Sequence, residues 1–239
     1  PHQEDPRRPD RQHRKTAATS PTPSASIGAL PPWFPATRMA GIGKCVMKIL
    51  VLGGYGVFGG RLAQLLKDDP GLTLLIAGRD GQKAHAFCET LGGAAQTLPL
   101  ALDRSDIAAA LSQHRPDLVV DASGPFQAYG DDPYLVPKAA IAARVPYLDL
   151  ADGADFVAGI GALDAPARAA GVFVLAGVSS FPVLTDAVLT AMERHLQVTE
   201  LVGGIAPSPY AGVGKNVLRA VLGYAGAPVR LWRQGKPAT

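Results

Sequence analysis

Lys48-Ile-Leu-Val-Leu-Gly-Gly-Tyr-Gly-Val-Phe-Gly-Gly60 is the stretch on which the reading of the whole chain turns. A short apolar run, Lys48–Leu52, gives way to glycines that satisfy G-x-G-x-x-G at Gly54, Gly56 and Gly59. Gly53, Gly56 and Gly59 also satisfy G-x-x-G-x-x-G. Residues without a Cβ allow a tight turn and let the backbone come close to a pyrophosphate. The last glycine lets the following helix pack on the strand, and the helix N-terminus offers free N–H groups to the phosphates. A glycine-rich turn by itself says little. One that follows a strand and opens a helix inside a βαβ unit is a dinucleotide-binding fingerprint. The residues predicted to line it are Gly53, Gly54, Tyr55, Gly56, Val57, Phe58 and Gly59.

Working outward, further short apolar runs alternate with helical stretches: Thr73–Ala77, Thr97–Leu102, Leu118–Ala122, Tyr147–Leu150 and Val172–Ala176. Continuous rather than alternating apolarity suits strands buried on both faces, hence a parallel sheet with helical crossovers. In the first helix Leu62, Leu65 and Leu66 are expected on the core face. Asp80, Ser105 and Asp155 are expected as N-caps. Six such strands predict a doubly wound, Rossmann-type α/β domain over residues 47–180. Beyond it, a helix over 185–196, a strand over 199–205, a helix over 214–222 and a strand over 229–233 read as the start of a second α/β substrate or dimerisation domain, residues 181–239, without its remainder.

Composition sets the outer limits. Of 239 residues 47% are apolar and 18% charged, enough for a sizeable core. The net charge of +3 is unevenly placed. Residues 1–46 carry seven Lys/Arg against three Asp/Glu, net +4, while the other 193 carry 16 against 17, net −1. The cationic surplus therefore belongs to an Arg-, Ser- and Pro-rich segment without helical or strand period, read as a disordered extension, with the working protein beginning at Met39 or Met47. The body has no surplus that would argue for nucleic acid. Two cysteines supply neither a disulfide framework nor a zinc cluster, which points to a reducing, cytoplasmic setting. No apolar run reaches membrane-spanning length.

The end of the second strand, Ala77-Gly-Arg-Asp80, bears on the cofactor. NAD calls for an acidic residue about 20 positions on, to hydrogen-bond the ribose 2′-hydroxyl. Arg79 stands there instead, where a guanidinium grips a 2′-phosphate. This favours NADP, with NAD the alternative through Asp80, whose other role is to cap the next helix. Asp103, past the third strand, is either an adenine-side contact or a turn residue. Ser123, Gly124 and Pro125, after the fourth strand, should border the nicotinamide at the switch-point crevice. After the fifth strand Asp149 and Asp152 are two carboxylates able to bind a cation or exchange a proton, unless Asp152 caps the next segment. Tyr134-Leu-Val-Pro-Lys138 matches Y-x-x-x-K, but Pro137 should disturb the helix that motif needs.

Together, Gly53–Gly59, Ala77-Gly-Arg79, Asp121-Ala-Ser-Gly-Pro-Phe126 with Tyr129-Gly130, and Tyr147-Leu-Asp-Leu-Ala-Asp152 resemble the saccharopine dehydrogenase family, in particular the NADP-binding domain of its saccharopine reductase-like members. The resemblance implies an NAD(P)-dependent oxidoreductase whose Rossmann domain precedes a mixed α/β substrate and dimerisation domain, hence a homodimer acting on a small molecule. The type member makes saccharopine from an aminoadipate semialdehyde and glutamate, by imine formation and hydride transfer. Carried over, Gly54, Gly56, Val57, Phe58 and Gly59 hold the pyrophosphate, Arg79 the 2′-phosphate, and Ser123, Gly124 and Pro125 the nicotinamide. The expected reaction is hydride transfer at a C=N or C=O carbon. The alternatives are an NADP-binding sensor without turnover, resembling NmrA-like regulators, and an inactive fragment.

Overall fold

The structure is a computed structural model that describes residues 46–193 and 195–199, and then positions 218, 222–223, 225–226, 228, 231–233 and 236–238. The expected disordered extension lies outside these residues, as do nearly all of the strand over 199–205 and the helix over 214–222.

Six parallel strands form one sheet. They are β1 (Met47–Leu52), β2 (Leu72–Gly78), β3 (Gln96–Ala101), β4 (Leu118–Asp121), β5 (Tyr147–Asp149) and β6 (Val174–Leu175). Their order is β3-β2-β1-β4-β5-β6, all pairs parallel. The chain reverses its direction of travel across the sheet between β1 and β4, so the carboxyl ends of those strands flank a switch point. The crossovers are α1 (Val57–Leu66), α2 (Gly81–Leu91), α3 (Ile107–His114), α4 (Leu135–Ala142), α5 (Ala154–Gly159) and α6 (Asp164–Ala170), with α7 (Ser180–Glu193) following β6. Beyond them β7 (Leu231–Arg233) pairs antiparallel with β8 (Lys236–Ala238). No described helix is long and apolar enough to cross a membrane.

The core has two layers, one on each face of the sheet. Leu50, Leu52, Leu75, Val119 and Tyr147 meet α3 and α4 through Ile107, Leu111, Val136 and Ala140. Ile49, Val51, Leu74, Ile76 and Val120 meet α1 and α2 through Ala63 and Leu91. Burial on both faces accounts for the continuous apolar runs of β1, β2 and β4. The edge strands depart from that expectation, since β3 is largely exposed and β6 is only two residues long. Pro99 shows why β3 differs: its missing N–H is tolerated at an edge, where only one side of the strand is paired.

Several local expectations are corrected. The buried face of α1 is Gly59, Gly60 and Ala63, flanked by Leu62 and Leu66, while Leu65 is 84% exposed. Small residues let α1 lie close on the sheet, which rotates Leu65 outward. Asp80 caps α2 as expected, accepting from Lys83 N–H at 3.1 Å. Ser105, however, sits inside a 3-10 turn capped by Asp103, and Asp155 lies in the first turn of α5, whose cap is Gly153. Pro137 does not disturb α4, because it falls in the first turn, where no intrahelical donor is required. For the same reason α7 starts at Ser180, five residues before the expected 185, with Pro182 in its first turn.

Candidate functional site

The glycine turn leaves β1 at the switch point. Gly53 has φ +70°, and a Cβ there would lie 2.7 Å from the Ala122 carbonyl oxygen and 2.8 Å from Ser123 Cα, so the turn and the end of β4 touch. A Cβ on Gly59 would run into the Gly53 carbonyl oxygen, which is why α1 can begin directly beneath the turn. Gly56 N–H donates to Gly53 O at 2.8 Å and Gly54 N–H to Ala77 O at 3.0 Å, closing the loop and tying it to β2. The N-cap of α1 is Gly56, with no side chain bonded to the first-turn N–H groups and no acidic residue in that turn. Those donors and the positive end of the helix dipole are left for an anion. Val57 and Phe58 are 46% and 53% exposed at the mouth, apolar surface that no described element covers.

Tyr55 crosses from the turn to β2. Its ring lies so close to Gly78 that a Cβ on Gly78 would fall 2.5 Å from a ring carbon, and its hydroxyl accepts from Asp80 N–H at 3.0 Å. Tyr55, Arg79, Asp80, Gly81, Gln82 and Lys83 line an open depression at the end of β2. Arg79 is exposed there. The Asp80 carboxylate accepts from Lys83 N–H and pairs with Lys83 Nζ at 3.2 Å, and these bonds hold its pKa below the usual carboxylate value. Asp103 accepts from the N–H and hydroxyl of Ser105 at 3.1 and 2.9 Å, which lowers its pKa, with a smaller contribution from the nearby Arg79 charge. Asp103 therefore sits on the Arg79 side of the edge, with its carboxylate engaged as a cap.

The ends of β4 and β5 are built differently. Asp121 is fully buried and accepts from Ser123 N–H at 2.9 Å and from the Ser123 hydroxyl. The Tyr129 hydroxyl lies 2.8 Å from Ser123 Oγ and 3.3 and 3.4 Å from the two Asp121 oxygens. The Arg104 guanidinium stacks on the Tyr129 ring, 3.4 Å from its centroid, and donates to Pro133 O at 3.2 Å. Gly124 and Pro125, joined by a cis peptide, carry the chain from Ser123 to Phe126, whose ring packs against Tyr129 and Phe156.

Asp149 stands beside Asp121 in register on β5 and is also fully buried. Its Oδ1 accepts from Ala151 N–H and Gly177 N–H at 3.0 and 2.8 Å, bracing the ends of β5 and β6. Its Oδ2, the Tyr147 hydroxyl and Arg104 Nε are buried without a hydrogen-bond partner among the described residues. Burial pushes the pKa of both carboxyls up, against the lowering effect of their hydrogen bonds. Burial, then the negative charge of Asp121, raises Tyr129 far above an ordinary phenol, and Tyr147 is raised by burial, Asp121 and Asp149.

Asp149 and Asp152, the two carboxylates expected beside one crevice, differ in setting: Asp149 is buried, while Asp152 is exposed and accepts from Gln127 Nε2 at 3.0 Å. Asp152 does not cap α5. The carboxyl that faces Asp149 is Asp121. Arg104 was beyond reach of motif reading, because a lone arginine after β3 carries no spacing signal. The Asp121–Asp149 pair had one: each is the aspartate closing an apolar strand, Leu118–Asp121 and Tyr147–Asp149. Tyr134 and Lys138 diverge, the hydroxyl donating to Phe156 O and the ammonium to Asp132, so they build no shared site.

Strand order, glycine turn and uncapped helix define a dinucleotide-binding domain of the kind oxidoreductases carry. The family model described as saccharopine dehydrogenase NADP binding domain matches residues 49–175, and the chain belongs to that family. Among solved structures it is similar to the apo saccharopine dehydrogenase (L-Glu forming) of Saccharomyces cerevisiae. The identity is 18% and the TM-score 0.47, over 62% of this chain and 32% of that one. It is also similar to an NAD-binding oxidoreductase from Klebsiella pneumoniae, at 19% identity and TM-score 0.38, over 62% and 39%. A third is a 3-oxoacyl-[acyl-carrier protein] reductase from Brucella melitensis, at 16% and 0.41, over 74% and 83%. The chain thus spans about a third of the length of the yeast enzyme. No curated protein matches it.

Proposed function

We propose that the chain is the cofactor-binding domain of an NADP-dependent oxidoreductase of the saccharopine dehydrogenase or reductase type, transferring hydride at a C=N or C=O carbon of a small molecule. The observation that carries the choice of NADP is the end of β2. Arg79 is exposed beside the depression while the Asp80 carboxylate is held by Lys83 N–H and Nζ, so a cation rather than a free carboxylate faces the ribose position. Gly53–Gly59 and the first turn of α1 receive the pyrophosphate, and Ser123, Gly124 and Pro125 border the nicotinamide. The cofactor supplies the hydride chemistry, and the fold binds and orients it. Behind Ser123, the Tyr129 hydroxyl bonds Asp121, whose register partner is Asp149, and burial favours the protonated form of both carboxyls, the candidate proton source for a reduction. The homodimer implied by the family belongs to the same proposal.

The test is a thermal unfolding series on the full chain with NADPH and NADH. Nucleotide at 100 times its dissociation constant should stabilise the fold by about 2.7 kcal/mol. Arg79→Ala should weaken NADPH about ten- to a hundredfold and leave NADH nearly unchanged. A melt unmoved by either nucleotide overturns the reading. NADPH oxidation dependent on an added carbonyl or imine substrate separates an enzyme from a sensor.

A further inference from the structure

We infer that Tyr55 is a specificity-determining residue, positioning Arg79 for the phosphate on the adenosine ribose. This rests on the NADP reading above and deepens it. Tyr55 belongs to the glycine turn, whose other members hold the pyrophosphate through backbone, yet its side chain turns away toward β2. The ring packs on Gly78 and the hydroxyl accepts the N–H of Asp80. That N–H is half of the peptide unit joining Arg79 to Asp80. Bonding it fixes the peptide plane, hence the ψ angle of Arg79 and the direction in which its side chain leaves the strand.

The same bond sets Asp80. With its N–H on Tyr55 and its carboxylate on Lys83 N–H and Nζ, Asp80 is held as the cap of α2 with its charge already paired. Releasing the hydroxyl frees the Arg79–Asp80 peptide to rotate, which loosens both the direction in which the guanidinium leaves the strand and the cap that keeps the Asp80 carboxylate paired. Both changes disfavour a 2′-phosphate, and neither touches a pyrophosphate, which NADPH and NADH share. Gly78 belongs to the same device, since any side chain there would displace the Tyr55 ring.

Dissociation constants for NADPH and NADH, measured on the full chain by nucleotide fluorescence, test this in a double-mutant cycle. Tyr55→Phe keeps the ring over Gly78 and removes only the bond. It should weaken NADPH about three- to tenfold with NADH nearly unchanged, and its effect should shrink when it is added to Arg79→Ala. Gly78→Ala, which pushes the ring aside, should reproduce the NADPH loss by a second route. Equal loss of both nucleotides, as from a ring that stacks on adenine, overturns the inference. So does a Tyr55→Phe effect that persists undiminished without Arg79. A wild-type protein that binds NADPH in preference to NADH, with Tyr55→Phe and Gly78→Ala doing so equally well, overturns the role of Tyr55 and leaves the cofactor reading standing. A wild-type protein that binds neither nucleotide overturns both.

Discussion

Along the carboxyl edge of the sheet, the ends of β1, β2 and β3 meet solvent with backbone amides and exposed charges, whereas β4 and β5 end in two fully buried carboxyls, with the buried Tyr147 and the half-buried Tyr129 beside them. On the first side the acidic groups, half-exposed Asp80 and exposed Asp103, are hydrogen-bonded, and their pKa values fall. On the second, Asp121 and Asp149 are equally well supplied with N–H donors, yet their pKa values rise. Hydrogen bonding is common to both sides, so burial decides the sign. The open side offers fixed donors to an anion, and the buried side keeps protons, which under the proposed function lie beside the nicotinamide.

The largest effect is expected where the open side has no room to adjust. A methyl group on Gly59 must displace the Gly53 carbonyl, which is backbone. Gly59→Ala should cost stability at the upper end of the roughly 1–3 kcal/mol typical of overpacking, and should abolish the nucleotide-induced rise in melting temperature. Urea unfolding with and without NADPH measures both. If Gly59→Ala binds NADPH normally, the turn is not the pyrophosphate site.

On the buried side, Tyr129→Phe removes the hydroxyl shared with Ser123 and Asp121 while keeping the ring beneath Arg104 and beside Phe126. The expected loss is about 1–1.5 kcal/mol, with NADPH affinity little changed, since the phenol faces the carboxyls rather than the phosphate turn. A loss of affinity as large as that from Arg79→Ala would mean that the two sides do not divide the work in this way.

The comparison also shows what a sequence can reveal. Apart from the reach of Tyr55 to Asp80, 25 positions on, the open side is local: Gly53 to Gly59 lie within one turn, Arg79 follows its strand directly, and Asp80 caps the helix three residues before Lys83. Such features are written in short spacings and were legible from them. The buried side depends on register between strands 28 positions apart, which places Asp121 against Asp149 and leaves Asp152 outside. Periodicity identifies β4 and β5 as strands but does not align them. The outward turn of Leu65 failed to show for a related reason. A helix with leucines at 62, 65 and 66 has an apolar side on paper, but the small residues Gly59, Gly60 and Ala63 decide which side meets the sheet.

A third experiment concerns pH. Burial makes the folded chain hold the protons of Asp121 and Asp149 more tightly than the unfolded chain does. Their contribution to stability is therefore fully present below the ordinary value of 3.8 and is lost as pH rises through the raised values. The lowered carboxylates act below 3.8, where their contribution disappears as pH falls. Urea unfolding from pH 4 to neutrality thus separates the buried pair from the lowered carboxylates, and from Cys88, Tyr129 and Tyr147, whose raised values lie above the ordinary 9.0 and 10.0. Stability should decline with rising pH in the wild type, and the decline should flatten in Asp121→Asn/Asp149→Asn. Equal slopes in the two proteins would mean that the pair is not protonated in the folded state.

The smallest effect is expected from the same change of Asp to Asn made on the open side. Asn is as good an N-cap as Asp, so the bond from Lys83 N–H survives in Asp80→Asn, and only the exposed pairing with Lys83 Nζ is lost. Melting temperature near neutral pH should hardly move, and stability above pH 4 should keep the wild-type slope. The nucleotide titration is the sharper readout. With the Asp80 carboxylate occupied by Lys83, its neutralisation leaves NADH affinity unchanged and relieves a negative charge near the 2′-phosphate, so NADPH should bind equally well or slightly more tightly. A fall in NADH affinity would instead place Asp80 on the ribose hydroxyls, and the preference at the end of β2 would then be for NAD.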